Sequence, residues 1–136
     1  MWFFLHDRGY EVGIISASLE DYMEVVYNIY LKENKVKAVD VARALNVSRA
    51  SATEALQKLE QLGLIDYGHY GSISVTEEGI KKALEVIKKH SILSTFFKKI
   101  LEVNHITAEE TACKIEHVIP NEIVEKLEKL IDNYAK

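Results

Sequence analysis

The feature that most constrains this fold is the run "LIDYGHYGSISVT" at residues 64–76, in which apolar and polar residues alternate around two glycines. Such alternation predicts two short strands, and the glycines predict a tight turn between them. Three segments with apolar residues at helical spacing precede this run, at residues 19–32, 39–46 and 48–62. Three helices followed by a β-hairpin is the order of elements in a winged helix-turn-helix.

Residues at the ends of these segments support the division into helices. Ser18 can cap the first helix, because the acidic Asp21 follows it three residues later as in a capping box. Asn46 can adopt the left-handed conformation that ends the second helix, and Gly63 stops the third. The third helix is expected to pack its small and apolar residues into the core, namely Ala52, Ala55, Leu56 and Leu59.

Downstream, over residues 76–136, the pattern is helical throughout. Thr76 can cap a long helix at residues 76–102, and Thr107 can open the next helix in a capping box with Glu110. Pro120 then interrupts the pattern before a last helix. The buried stripe of the long helix is expected to contain Ile80, Leu84, Ile87 and Phe97.

The last helix carries more apolar surface than an isolated terminal helix can leave in water, so we expect it to pack against a partner. The residues concerned are Ile123, Val124, Leu127, Leu130, Ile131 and Tyr134. The expected fold class is therefore mainly α, with an N-terminal winged helix-turn-helix followed by an all-helical dimerisation domain. We expect an N-terminal extension at residues 1–17, the winged helix-turn-helix at residues 18–75 and the helical domain at residues 76–136.

Composition and charge restrict the class of protein further. A net charge of −4 argues against a protein that coats nucleic acid by bulk electrostatics, but it leaves open a reader with a small contact surface. The single cysteine excludes an intramolecular disulfide and fits a reducing cytoplasm. The apolar start "MWFFL" is soon interrupted by Asp7, Arg8 and Glu11, so we expect neither a membrane span nor a signal peptide.

The second helix of a helix-turn-helix pair enters the major groove of DNA, with its N-terminal residues nearest the base edges. Here that position reads "VSRASAT", which combines short hydrogen-bonding side chains, one guanidinium and small residues that allow close approach. Other basic residues and the hairpin can contact phosphates. The predicted interface with double-stranded DNA comprises Lys37, Ser48, Arg49, Ala50, Ser51, Thr53, Lys58, His69, Tyr70 and Ser72. A winged helix that binds protein instead stays open, since residues 19–75 hold six Lys and Arg against eight Asp and Glu.

The segment "TACKIEHV" at residues 111–118 places a thiol, a carboxylate and an imidazole at Cys113, Glu116 and His117. Residues three and four apart are neighbours on a helix surface, so these side chains point toward one small volume. All three groups are good transition-metal ligands, and the stripe predicts half of a metal site. The alternative is structural, because a lone cysteine often fills a core and a Glu-His pair is often solvated.

Further candidate ligands occur elsewhere in the chain. Asp21 and Glu24 lie three residues apart on the first helix, and His90 lies late in the long helix. Together with the stripe they suit one or two first-row divalent ions, with the thiolate favouring iron, cobalt or zinc and the carboxylates accommodating manganese. Each has a structural alternative: Asp21 in a capping box, Glu24 in solvent, and His90 as a satisfied core histidine.

Four motifs follow one another in a particular order: "LEDYMEVVY" on the first helix, the winged helix, "KKHSIL" on the long helix, and then "ACKIEHVIPNEI". This order resembles the DtxR/MntR family of metal-dependent transcriptional repressors and covers residues 18–136. The resemblance implies a cytoplasmic homodimer that binds operator DNA when loaded with Mn(II) or Fe(II) and represses genes of metal uptake. Co(II) and Zn(II) are further candidate ions.

The resemblance also implies a set of metal ligands. The positions that match ligands of the manganese-responsive branch are Asp21, Glu24, His90, Glu116 and His117. Cys113 stands where that branch has a glutamate, and a cysteine there is similar to the iron-responsive branch. In the iron branch, however, a methionine takes the position of Asp21. The ligand set is therefore mixed, and the family does not fix the metal.

The iron branch has a second, ancillary site that also uses a carboxylate four residues after the equivalent of His90 and a histidine four residues before the equivalent of Cys113. This chain has Ser94 and Glu109 at those two positions, so the ancillary site is not expected in its usual form.

A catalytic role is the main alternative from another class of protein. Cys113 and the nearby His117 can suggest a thiol nucleophile, but no oxyanion-hole loop or glycine-rich phosphate cradle accompanies them. We therefore expect a protein that is not an enzyme. A metal-independent winged-helix regulator or protein-interaction module is the remaining alternative.

Overall fold

The computed structural model describes residues 17–134, so the predicted N-terminal extension lies outside the described residues except for the backbone of Ala17. The chain forms two compact units, an N-terminal unit that ends at Leu84 and a C-terminal unit that begins at Glu85. The boundary between them falls inside the helix Glu77–Thr95. Over residues 17–134, no helix combines the length and the apolar character that a membrane crossing requires.

The N-terminal unit has three helices, a two-stranded antiparallel sheet and the start of a fourth helix. Its elements are α1 (Ala17–Glu33), α2 (Ala38–Leu45), α3 (Arg49–Gln61), β1 (Ile65–Tyr67), β2 (Ile73–Val75) and α4 (Glu77–Thr95). The strands pair with Ile65 opposite Val75 and Tyr67 opposite Ile73. This order of elements confirms the predicted winged helix-turn-helix.

The predicted ends of the helices around the turn are confirmed. Asn46 ends α2 with a φ of 54°, in the left-handed region that asparagine tolerates better than most residues. The Ser48 hydroxyl caps α3 by accepting a hydrogen bond from the Ser51 N–H at 3.0 Å. Gly63 follows α3 with a φ of 77°, where a side chain would be strained. These local choices fix the angle at which α3 leaves α2.

The core of the N-terminal unit lies where α3 packs on α1 and the sheet. Leu56 and Leu59 of α3 have no exposed surface, and the same is true of Met23 and Val26 on α1. The four core residues predicted for α3 are all buried: Ala52, Ala55, Leu56 and Leu59. Packing on α1 therefore holds the helix that is expected to read DNA.

The cap predicted for the first helix is wrong. Ala17 is already part of helix α1, so Ser18 lies inside the helix and does not form a capping box with Asp21. A single cap contributes only about 1 kcal/mol, which is small beside the burial of a helix face, so it does not decide where a helix begins.

The described residues of the C-terminal unit form helices joined by short turns, with no strand among them. This unit contains the end of α4, which continues as a π-helical turn at Phe96–Ile100, and then α5 (His105–Ile115) and α6 (Asn121–Tyr134).

The capping box predicted at Thr107 is wrong. Asn104 caps α5 instead, because its side-chain oxygen accepts the Thr107 N–H at 2.9 Å. Asparagine is as good a cap as threonine, and the choice between them depends on where the preceding loop ends.

The stripe predicted for α4 is only partly correct. Leu84 is 48 % exposed, and Ile80, Ile87 and Phe97 are half-buried. The apolar side chains of α4 that are buried are those of Ala83, Val86, Ile92 and Leu93. The buried face is therefore rotated by about one residue, toward positions where a small side chain such as Ala83 allows close packing.

Gly79, in the first turn of α4, gives a stability prediction. A Cβ at this position would lie 2.0 Å from the Leu64 carbonyl oxygen and 2.8 Å from Val75 Cγ1. Alanine normally gains about 1 kcal/mol over glycine inside a helix. Because the obstacle here is backbone, overpacking should cost about 1–3 kcal/mol or more and outweigh that gain. We expect Gly79→Ala to lower the free energy of unfolding in urea titrations followed by circular dichroism.

The matched control is Glu78→Ala, at an exposed position of the same turn. It should change the free energy of unfolding by no more than about 0.5 kcal/mol. An increase in stability for Gly79→Ala would show that α4 does not approach Leu64 this closely.

Candidate metal centre and nucleic-acid interface

The N-terminal end of α3 presents a small polar surface. Ser48, Arg49, Ala50 and Ser51 are all exposed, and the Ser48 hydroxyl donates to Ser51 Oγ at 2.9 Å. Thr53 is half-buried. Short side chains held to one another leave the Arg49 guanidinium as the long group of this surface, which suits contact with a base edge.

The basic side chains of the N-terminal unit differ in how far they are neutralised. Lys58 lies 3.6 Å from Glu54 on the same helix, so part of its charge is already offset. Arg49 and Lys37 have no ion pair within the described part of the chain, and both are exposed. These two are therefore the stronger candidates for phosphate or base contacts.

The turn of the hairpin carries an aromatic side chain that is exposed to solvent. Tyr70 is fully exposed and has a φ of 65°, an unusual left-handed conformation for a tyrosine. Gly71 follows with a φ of 74°, and Ser72 is half-buried. The side chain of His69, the third predicted residue here, lies outside the described structure.

Within the C-terminal unit, Glu116 lies between two imidazoles. Its side chain is 1 % exposed; one oxygen lies 2.7 Å from His90 Nδ1 and the other 3.4 Å from His117 Nε2. The His117 side chain is equally buried. Within this unit, three of the predicted ligands therefore lie together, one from α4 and two from the segment that follows α5.

Glu116 and His117 follow one another directly after the end of α5. Helix α5 ends at Ile115, and Glu116 is its C-cap, with helical φ and ψ of −58° and −27°. The Glu116 N–H still donates to the Ala112 carbonyl at 3.0 Å. A carboxylate at this end of a helix faces the negative end of the helix dipole. Burial and the dipole both favour a positive partner beside Glu116.

This donor set fits a divalent transition metal. A buried carboxylate with two imidazole nitrogens at close range offers oxygen and nitrogen ligands that Mn(II), Fe(II), Co(II) and Zn(II) all accept. Burying such a carboxylate in a low dielectric is costly unless a cation or several donors compensate it. The C-terminal unit therefore contains the chemistry of a metal centre.

Glu109 and Ser94 belong to the same cluster, although they were not predicted as site residues. His90 Nε2 lies 3.2 Å from Glu109 Oε2, and the Ser94 hydroxyl donates to the same oxygen. The hydrogen bond from Ser94 lowers the pKa of Glu109 below its ordinary value, and the nearby His90 contributes less. Glu109 lies four residues before Cys113, and Ser94 lies four after His90. That one-turn spacing, and their place at the two positions that form the ancillary site in the iron branch, are the sequence signals that link them to the site.

The other three predicted ligands lie on α5 and in the N-terminal unit. Cys113 lies on α5 one turn before Glu116 and is exposed. Asp21 and Glu24 belong to the N-terminal unit, where they lie one turn apart on α1 and are both half-buried. The exposure of Cys113 removes its alternative role as a core residue.

Comparison with known proteins identifies the family. Residues 15–73 match the N-terminal DNA-binding domain of the iron-dependent repressors, and residues 76–136 match their metal-binding and dimerisation domain. The fold and the site thus define a metal-responsive, DNA-binding transcriptional regulator, a class of protein that is not enzymatic. The chain belongs to the iron-dependent repressor family, and its resemblance to the DtxR/MntR repressors is confirmed.

Two relatives illustrate how far the similarity extends. The uncharacterized HTH-type transcriptional regulator MJ0568 of Methanocaldococcus jannaschii is 35 % identical over 122 residues, which is 88 % of this chain and 97 % of that protein. The regulator MntR of Oceanobacillus iheyensis is 29 % identical over 121 residues, 89 % of this chain and 81 % of that protein. Both alignments span the winged helix and the helical domain.

Solved structures show the same fold. The manganese regulator SloR superposes with a TM-score of 0.75 at 24 % identity, over 84 % of this chain and 53 % of that one. ScaR with bound Zn²⁺ gives a TM-score of 0.74 at 27 % identity, over 84 % and 53 %. The chain therefore spans about half the length of these two structures.

Proposed function

We propose that this chain is a homodimeric cytoplasmic repressor that binds double-stranded operator DNA when loaded with Mn(II) or Fe(II), and that it controls genes of metal uptake. The observation that carries this proposal is the buried Glu116 carboxylate between His90 and His117, in a family whose matching domain binds metal. Solved structures named as a manganese-dependent repressor and as the manganese-activated repressor ScaR, at 25 % and 26 % identity, support manganese, whereas the thiol of Cys113 supports iron. Solved structures of ScaR with Zn²⁺ and with Cd²⁺ support Zn(II) as a further ion.

The proposed ligands come from both units: Asp21, Glu24, His90, Cys113, Glu116 and His117. A bound ion supplies two positive charges, which offset the carboxylates of this set. Helix α1, which carries two of the ligands, packs through Met23 and Val26 in the same core as Leu56 and Leu59 of α3. Binding of a metal ion by Asp21 and Glu24 would therefore affect the position of α3, the helix that we propose reads DNA. Loading would raise the fraction of dimers whose two reading helices match successive major grooves.

The proposed DNA surface is the set predicted from the sequence. Direct base contact is assigned to the start of α3, where Arg49 is exposed and free of ion pairs within the described residues. Phosphate contact is assigned to Lys37, Lys58 and the hairpin turn around Tyr70. With a net charge of −4, one such surface supplies little electrostatic attraction, so two linked copies are needed for useful affinity.

The function can be tested by a metal-by-metal DNA-binding titration. Full-length protein loaded with Mn(II) would first be used to select a duplex from a random library. Affinity for that duplex would then be measured with Mn(II), Fe(II), Co(II), Zn(II) or chelator, together with elemental analysis of each sample. We expect loading to raise affinity by about 5–150-fold, the usual range for coupling between two binding sites.

Two outcomes would contradict the proposal, and each would favour a different alternative function. Equal affinity after thorough chelation would favour the metal-independent winged-helix regulator. Failure to enrich any duplex would argue against DNA recognition and favour a protein-interaction module.

Arg49→Ala tests the assignment of α3 as the reading helix. Loss of a guanidinium that contacts a base should cost about 1–3 kcal/mol on the selected duplex, or roughly 5–150-fold in affinity. The loss on unrelated DNA should be smaller, because phosphate attraction remains. Competition binding at fixed salt measures both. Lys81→Ala is the control, since it removes a positive charge from an exposed position outside the proposed surface. Equal losses on both duplexes would place Arg49 on phosphate rather than on a base.

A further inference from the structure

His90 has a carboxylate oxygen beside each of its two ring nitrogens. Its Nδ1 lies 2.7 Å from Glu116 Oε2, and its Nε2 lies 3.2 Å from Glu109 Oε2. Both oxygens are acceptors when the carboxylates are ionised, and a neutral imidazole has only one N–H to donate. One of the two nitrogens must therefore be the donor when the ring is neutral. The partners of Glu109 and Glu116 decide which nitrogen that is.

Of the two carboxylates, Glu109 is the one that is held in place to accept a hydrogen bond from His90. Its Oε2 atom receives the Ser94 hydroxyl as well as facing His90 Nε2, and Ser94 is 4 % exposed. Ser94 and His90 are one turn apart on α4, so both groups approach Glu109 from the same helix face. An oxygen that already accepts one hydrogen bond from a fixed donor is well placed to accept a second from the ring beside it.

Glu116 differs because it faces a second imidazole. Its other oxygen lies 3.4 Å from His117 Nε2, and both side chains are buried. A cation that neutralises this carboxylate can therefore be shared by two nitrogens. Among the described residues, Glu109 has one imidazole within hydrogen-bonding distance, that of His90. This asymmetry favours the N–H of His90 on the Glu109 side of the ring.

We propose that Glu109, anchored by Ser94, is a positioning residue that accepts the Nε2–H of His90 and so leaves Nδ1 as the nitrogen that binds the metal. This inference rests on the proposed metal-binding function and adds a residue to it. Glu109 does not bind the ion but fixes the tautomer and the orientation of a ligand that does. Outer partners of this kind raise the basicity of the ligand and typically account for about 10–100-fold in metal affinity.

Four variants of the full-length chain test this role by titration with Mn(II) and with Zn(II). Glu109→Ala should weaken affinity by about 10–100-fold without changing the number of ions bound per chain. Glu109→Gln should restore most of the affinity, because its amide oxygen still accepts the N–H. Ser94→Ala should give a smaller loss than Glu109→Ala. Glu110→Ala, at the exposed neighbouring position on α5, is the control and should bind like the wild type.

A spectroscopic measurement separates positioning from a general structural effect. In Zn(II)-loaded protein with ¹⁵N-labelled histidine, the His90 signals can be assigned by their loss in His90→Gln. We expect Nε2 to carry a proton and Nδ1 to show the shift of a coordinated nitrogen. In Glu109→Ala the protonated Nε2 signal should broaden or disappear through exchange, while circular dichroism stays unchanged.

Distinct results would overturn the inference. Coordination of His90 through Nε2, or Mn(II) affinity unchanged in Glu109→Ala, would remove the positioning role while the wild type still binds metal. Loss of one bound ion per chain in Glu109→Ala would show that Glu109 is itself a ligand. If the wild type bound neither Mn(II) nor Zn(II), the proposed function would fail first, and the positioning role would fail with it.

Discussion

Replacing Glu116 by glutamine is expected to weaken Mn(II) binding by at least about 100-fold, because loss of a direct ligand should exceed the 10–100-fold cost of losing an outer partner. Glutamine keeps the volume of the side chain but removes the negative charge that two imidazoles face. The fold should survive. Without metal, removing a buried charge at the negative end of helix α5 should leave thermal stability equal to or above that of the wild type. Calorimetric titration and thermal melting of the same samples measure the two effects.

The control for this variant is Glu110→Gln, which makes the same chemical change at an exposed position of α5. Its Mn(II) affinity and melting temperature should both match the wild type. An unaltered Mn(II) titration in Glu116→Gln would remove Glu116 from the ligand set. A large loss of stability without metal would mean that the residue serves the fold instead.

Leu130→Lys is expected to convert a dimer into a monomer and to weaken operator binding by about 10²–10⁴-fold, the gain that linking two sites usually provides. Leu130 is 47 % exposed on α6, and Ile123 and Tyr134 on the same face are 46 % and 63 % exposed. These residues lie seven before and four after Leu130, so they form one apolar seam. A lysine in the middle of a buried seam would leave an unpaired charge, which the dimer cannot accommodate cheaply.

Sedimentation and DNA binding measure the two consequences of Leu130→Lys. Asp132→Asn is the matched control, because it also makes the charge of α6 more positive by one unit, at an exposed position on the side of the helix opposite the seam. It should stay dimeric and keep its operator affinity. A Leu130→Lys variant that remained dimeric would place the dimer interface elsewhere. A monomer that still bound the operator like the wild type would remove the need for two linked copies.

The local features of the winged helix-turn-helix were predictable because they depend on neighbouring residues. Alternation around Gly68 and Gly71 indicated the hairpin, and the structure has strands on both sides of that turn. Asn46 and Gly63 end their helices with positive φ angles, as expected. Each of these signals acts within a few residues, so sequence alone is sufficient to recognise it.

The wrong predictions of helix caps and of the buried face of α4 share one physical cause. In each case neighbouring residues offer alternatives of similar free energy. Ser18 and Thr107 are both acceptable caps, yet Ala17 is already helical and α5 begins at His105. Capping energies of about 1 kcal/mol separate such options poorly, and packing decides among them. The buried face of α4 was misplaced for a similar reason, since Ala83 counts little in a hydrophobic pattern but allows a close approach.

The sequence by itself determined the fold class and the family, because helical spacing and motif order are properties of the chain alone. Only the tertiary structure decided which groups meet. His90 and Glu116 are 26 residues apart and belong to different helices, and no local period relates them. The pairing of Ser94 and Glu109 beside His90 has the same origin, since it exists only where α4 and α5 pack together. Contacts of this kind depend on how side chains of distant segments fill a shared volume, which no short stretch of sequence specifies.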